Sequence, residues 1–329
     1  MNVRRPIPTA AVAGAVVLGL TALSACSASD AADRENGDKL SVVTSFYPMQ
    51  FLAEEIGGNH VSVESLTKPG VEPHDLELTP RQIGGLGDAD YILYLKGIQP
   101  AVDDAVTQAG VENTVDAATL TTLEKHGSEV GDEHGHEEGH AEEEGHEDEH
   151  AHEGEAGTDP HIWLDPVKYA EVAKGVGKSL EKADPDHAAD YAKNTDALVN
   201  KLDALNTAFE TGLKDTTTKT FITTHSAFGY LAERYGLVQE GIAGIDPEAE
   251  PSPARIQEIH TVAKENKATT VFFETLASDK TAKTVAEDTG LKTDVLDPLE
   301  GITEQSRGAD YIEVMESNLA ALQKALGAK

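Results

Sequence analysis

The chain has 329 residues and thirteen histidines, which are unevenly spread. Seven of them (His126, His134, His136, His140, His146, His150 and His152) fall within residues 124–155, beside fourteen Asp or Glu and almost nothing apolar. Neutral imidazole is a good ligand for borderline divalent ions, and the surrounding carboxylates add charge. The stretch is therefore expected to act as an auxiliary collector of divalent cations. Its apolar content cannot offset the entropy of ordering it, so it is also expected to be disordered. Two pieces, at 136–140 and 146–150, match the pattern His-Glu-x-x-His of zinc proteases. That pattern works only on a packed helix where both imidazoles share a face and the Glu meets a bound water. No apolar residue anchors such a helix here, and proteolysis is not expected.

The other six histidines are His60, His74, His161, His187, His225 and His260. Three fall where strands end or in the loops that follow, the place where open α/β sheets put ligands. His74 lies in KPGVEPHDLELTP (68–80), His161 in DPHIWLDP (159–166), and His225 closes the run FITTH (221–225). The matching position after the last strand holds Asp297, in VLDPL (295–299). Singly each has an ordinary explanation as a turn or cap residue. Together the four could close a tetrahedral site between two halves of the protein. His60, His187 and His260 are expected to face solvent.

Elements that would position these groups can be read from the pattern. Short β-branched runs at 40–46, 61–66 and 91–95 alternate with helical stretches at 49–56 and 79–86. The habit repeats with runs at 220–224, 238–243, 269–273 and 293–296, helices at 227–235, 253–266 and 280–289, and a closing helix at 309–326. Alternation of this kind implies parallel sheets covered on both faces. Between the two blocks, Tyr191, Leu198, Leu202, Leu205, Phe209 and Leu213 mark one face of a helix over 186–214. It would be roughly 40 Å long. The expected fold is α/β: two lobes, 40–185 and 215–329, each a parallel sheet flanked by helices, joined by one long rigid helix, with a metal site in the cleft.

The chain opens with Arg4 and Arg5, then an uncharged Ala/Val/Leu/Gly run that ends at LSAC (23–26). That is the composition of an export signal, too short to span a membrane comfortably. Cys26 is the only Cys, which excludes a disulfide framework and any Cys-rich zinc module. Its placement resembles a bacterial lipoprotein signal. Residues 1–25 are expected to be removed, Cys26 lipidated, and 26–39 to serve as a flexible tether. With 59 acidic against 26 basic residues the net charge is −33, so a cation suits the protein and a nucleic acid does not.

In combination these segments resemble the ABC-transporter substrate-binding lipoproteins that take up zinc or manganese. The resemblance rests on FYP (46–48), PHDLE (73–77), DPHIWLDP (159–166), TTHSAFGYL (223–231), GIDPEAEPSP (244–253), FFE (272–274) and LDPL (296–299). It implies two α/β lobes, a long connecting helix and a metal in the cleft, with His74, His161, His225 and Asp297 as ligands. Zinc members of this family also carry a His-rich acidic insertion, and they hold His where manganese members hold Glu at the third ligand. His225 therefore points to Zn²⁺, which suits three imidazoles and one carboxylate better than Mn²⁺ does. The resemblance implies an extracytoplasmic, lipid-anchored monomer. It would capture Zn²⁺ and hand it to an ABC permease and its ATPase, and would not itself be an enzyme. Alternatives are a manganese or iron carrier of the same fold, or a surface zinc buffer without a permease.

Overall fold

The computed structural model describes residues 39–126 and 158–329. The export signal, Cys26, the tether up to residue 38, and His134, His136, His140, His146, His150 and His152 lie outside the described residues.

Two four-stranded sheets are built on one plan. In the first, β1 (Leu40–Thr44), β2 (Val61–Ser65), β3 (Tyr91–Tyr94) and β4 (Thr114–Asp116) run in the order β2-β1-β3-β4. In the second, β5 (Thr220–Thr223), β6 (Val238–Gly241), β7 (Thr270–Phe273) and β8 (Lys292–Val295) run β6-β5-β7-β8. All pairings are parallel. Central strands are buried on both faces, as in the YILY of β3 and the TFIT of β5, whereas edge strands such as β2 alternate with solvent. That is the difference expected between the inside and the rim of a helix-covered parallel sheet.

Successive side chains on a strand face opposite ways, and here the two faces feed different cores. Val42, Tyr91, Leu93, Phe221 and Phe272 enter one large cluster shared by both sheets. Their neighbours Val43 and Ile92 pack outward beneath α2 (Pro80–Leu86) and α3 (Pro100–Ala109). Ile222 and Val271 pack outward beneath α7 (Pro253–Glu265) and α8 (Lys280–Thr289).

The middle of the shared cluster is a helical hairpin. Its arms are α4 (Pro166–Ala183) and α5 (Ala188–Gly212). At 25 residues α5 is ~37 Å long, and it buries Tyr191, Leu198, Leu202, Leu205 and Phe209. It touches α1 (Tyr47–Gly57) of the first block and α9 (Tyr311–Leu326) of the second. Gly177 lets the two arms approach: a Cβ there would lie 2.2 Å from the hydroxyl of Thr195. The strut anticipated from the sequence is thus one arm of a pair. Since both sheets bury apolar faces against that pair, large hinge motions would expose core, and the halves form one continuous unit.

Three elements were not anticipated: α3, the three-residue β4, and α4. Helix starts follow local rules, with Thr79, Asp165 and Ser252 each capping a first turn that opens with proline.

Candidate metal centre

Four loops meet where the C-terminal ends of the strands face one another. His225 lies two residues past β5, Glu300 five past β8 and His74 nine past β2, while His161 immediately precedes a 3-10 turn (Ile162–Leu164) that leads into α4. The ring centroids of His74, His161 and His225 are 5.5 to 6.3 Å apart. Nε2 of each ring lies close to one atom, Oε1 of Glu300: His74 and His161 are hydrogen-bonded to it at 3.2 and 3.3 Å, and His225 is 3.4 Å away without hydrogen-bond geometry. His161, His225 and Glu300 are buried, and the His74 side chain is 11% exposed.

The carboxylate that the structure brings among the three imidazoles is Glu300, where the sequence reading expected Asp297. Asp297 is buried, but its carboxylate is committed elsewhere: Oδ1 accepts the backbone N–H of Leu299 at 2.8 Å and Oδ2 accepts the Thr275 hydroxyl at 3.1 Å. Its backbone is clamped on both sides by Asn318. Burial raises the Asp297 pKa. Leu299 adopts φ 59°, a left-handed conformation rare for a residue with a branched side chain, and this turn delivers Glu300 to the imidazoles. Trp163 holds the same turn from the other side, its indole N–H donating to the carbonyl of Pro298 at 2.7 Å. Nothing in the sequence announces a leucine at positive φ, so the carboxylate nearest the strand end looked the better ligand. Glu300 follows it by three residues, the only legible hint.

Two imidazoles have their orientation set by carboxylates. Asp159 Oδ1 accepts from Nδ1 of His161 at 2.8 Å, and Glu274, just past β7, accepts from Nδ1 of His225. Each arrangement leaves Nε2 free to coordinate, the outer partnership usual for metal-bound histidine. Both carboxylates stood in segments singled out from the sequence, without a role. His74 has no carboxylate on Nδ1 among the described residues. Instead Glu72 shapes its loop by accepting the backbone N–H groups of His74 and Asp75.

Burial alone would keep His161 and His225 neutral, yet the carboxylates outweigh it and raise both pKa values, that of His225 well above the ordinary range. Burial would likewise raise Glu300, but the three imidazoles hold it well below the usual carboxylate range. Without a cation the pocket is an arrangement of protons shared among buried donors, and an imperfect one. His225 Nε2 and Glu300 Oε2 are both buried without a hydrogen-bond partner, a costly state that a shared cation would relieve. The spacing fits such an ion. Tetrahedral bonds of ~2.0–2.1 Å put neighbouring ligand atoms ~3.3 Å apart, which is the Oε1–Nε2 separation found three times.

The remaining histidines are elsewhere. His60 and His187 stack at 4.0 Å and bind Asp190 and Asp184. His260 on α7 has a buried Nε2 without a partner. None of the three simply faces solvent; all are partly buried. His126, expected within the disordered collector, is docked against Asp159 and Glu233. No helix among the described residues is long and apolar enough to cross a membrane.

Comparison with known proteins adds a family. Residues 42–325 match the family described as zinc-uptake complex component A, periplasmic. The high-affinity zinc uptake system protein ZnuA of Bacillus subtilis is 40% identical over 294 residues, 88% of each chain. The zinc-binding lipoprotein AdcA of Streptococcus pneumoniae is 37% identical over 92% of this chain, but the match spans only 58% of AdcA. Among solved structures, the Zn(II)-bound ZnuA-like domain of the S. pneumoniae AdcA superposes with a TM-score of 0.69 at 34% identity, covering 88% of this chain and 99% of that one.

Proposed function

The chain belongs to the periplasmic zinc-uptake component A family, and from that premise we propose that it is the extracytoplasmic zinc-capturing subunit of an ABC importer. The observation that carries this reading is the convergence of three Nε2 atoms on one Glu300 oxygen at tetrahedral-edge spacing. Three nitrogens and one carboxylate oxygen are a zinc donor set; Mn²⁺ favours more oxygens and higher coordination. Four protein donors leave no open coordination position, so the centre is a carrier's grip and not a hydrolase's.

His74, His161, His225 and Glu300 hold the cargo, while Asp159 and Glu274 fix two of the rings. Residues 1–25 are an export signal, Cys26 carries lipid, and 26–39 tether the protein to the outer face of the membrane. The lobes, 40–185 and 215–329, stay in fixed relation through 186–214, so loading is read by the permease as a local rearrangement of the four loops. The permease and its cytoplasmic ATPase then take the ion inward. The test is loading from an equimolar mixture of Zn²⁺, Mn²⁺ and Fe²⁺ followed by dialysis and elemental analysis. Zinc should be retained at the tight site; preferential retention of manganese or iron would overturn the reading.

A further inference from the structure

The two sheets carry the same frame at the gap between their middle strands, the crevice where open α/β sheets place ligands. In the second sheet the backbone N–H of Thr224 donates to the carbonyl of Phe272, and those of Ile242 and Ala243 donate to Thr223 and Thr224. In the first sheet Ser45 donates to Leu93, and Leu66 and Thr67 donate to Thr44 and Ser45. Residue for residue, Ser45 stands where Thr224 stands, Phe46 where His225 stands and Leu95 where Glu274 stands. The first frame thus holds a hydroxyl without an acid, and there Ser45 Oγ is buried with no hydrogen-bond partner. The backbone frame itself makes no use of a hydroxyl at this place.

In the second sheet the hydroxyl is engaged. Thr224 Oγ1 donates to Oε1 of Glu274 at 2.6 Å, the same oxygen that accepts from Nδ1 of His225. A carboxylate turns broadly about its last bond, and a single donor leaves its plane loosely set. Two donors on one oxygen fix both the plane and the oxygen that is used. They also occupy that oxygen as an acceptor, so the hydrogen of His225 stays on Nδ1 and the lone pair of Nε2 is left for the centre. The main chain of His225 is held separately. Its carbonyl accepts the Thr223 hydroxyl at 2.6 Å and Nε2 of Gln239 at 3.0 Å. Removing the Thr224 hydroxyl therefore leaves the His225 backbone in place, and the effect runs through Glu274.

We propose that Thr224 is a positioning residue for the zinc centre, acting through Glu274 to hold the His225 ring in its coordinating orientation and tautomer. The proposal rests on the zinc reading of the centre for the identity of the cargo.

The test is a double-mutant cycle in the full chain. Zinc affinity and release rate are measured by chelator competition for the wild type, Thr224→Val, Glu274→Ala and the double variant. Valine keeps the shape of threonine and removes the donor, and Thr224→Ala, which adds no bulk, repeats the removal. Both should weaken zinc by ~3–10-fold, less than the ~10–100-fold of losing an outer partner itself, chiefly through faster release. Thr224→Ser, which keeps the hydroxyl, should restore wild-type affinity. In the Glu274→Ala background Thr224→Val should change affinity by less than about twofold, because the residue it acts through is gone. An equal loss in both backgrounds would mark a merely structural role and overturn the proposal. So would wild-type affinity in Thr224→Val or Thr224→Ala, or a loss that serine fails to restore. Absence of tight zinc binding in the wild type would overturn the zinc-capture reading together with this proposal; tight wild-type binding indifferent to Thr224 overturns the proposal alone.

Discussion

The two sheets share a strand order yet present their donors differently. The second supplies His225 and Glu300 from short loops, buried, with His225 braced by Glu274 and Glu300 delivered by a left-handed turn. The first sheet supplies His74 from a long loop, partly exposed, with its Nδ1 unbraced among the described residues. His161, between them, is braced by Asp159. The contrast is between rings fixed by outer carboxylates, His161 and His225, and one, His74, held only by its loop and by Glu300. Preorganisation of a ligand ring by an outer carboxylate is worth a measurable share of affinity, so the asymmetry can be attacked residue by residue.

The largest effect should come from His225→Ala. Zinc affinity, measured by chelator competition, should fall by more than ~100-fold, beyond the cost of losing an outer partner alone. The same substitution should destabilise the metal-free protein by ~1–3 kcal/mol, because Glu274 is left buried without its imidazole. His74→Ala should also weaken zinc but cost less metal-free stability than His225→Ala, since His74 pairs only with Glu300, which keeps two other imidazoles. Equal losses of metal-free stability would erase the contrast between the lobes. Next in size are Glu274→Gln and Asp159→Asn, each expected to cost ~10–100-fold in affinity with all four ligands in place.

Acid should act through the same groups. His161 and His225 have folded pKa values above the ordinary ~6.5. Their pairing with buried carboxylates therefore stabilises the metal-free protein fully below that value and is lost as pH rises through the raised values. Zinc must displace those protons, so affinity is full above the raised values and begins to fall while the pH is still above ~6.5. The increase in melting temperature on adding zinc should accordingly grow with pH, with protons released on binding. A thermal shift independent of pH between 6 and 9 would contradict this. Smallest of all is His260→Ala, whose ring is on the outer helix α7; zinc affinity should not change, and any loss would mean that the site extends beyond the four loops.

Much of the fold was legible because buried parallel strands write themselves as short apolar runs, and β1, β2, β3, β5 and β7 fall within or at such runs. The helix α4 was passed over although Tyr169, Val172, Ala173, Val176 and Leu180 are all buried on one face. Gly175 and Gly177 lower its intrinsic helix propensity, and at Gly177 the reason is a contact with Thr195 that exists only after α5 has packed. The strand β4 is too short for periodicity to register. At the site, His74, His161 and His225 stood out because imidazoles beside strand ends have few other uses. Glu300 did not, since its placement depends on the turn at Leu299 and on the clamp that Asp297 provides. Local sequence marks where a loop begins; the direction in which it releases a side chain is decided by contacts made across the fold.

That distinction supplies the most direct test. Zinc affinity should be measured by chelator competition for Glu300→Gln and Asp297→Asn side by side, each variant keeping the shape of the side chain it replaces. Coordination by Glu300 predicts a loss of ~100-fold or more, about 2.7 kcal/mol, for Glu300→Gln, and near wild-type affinity for Asp297→Asn, whose remaining carbonyl oxygen can still accept from Leu299. The reverse order, with Asp297→Asn abolishing tight binding and Glu300→Gln sparing it, would show that the three imidazoles close on a different carboxylate and that the geometry described here is not the one that holds the ion.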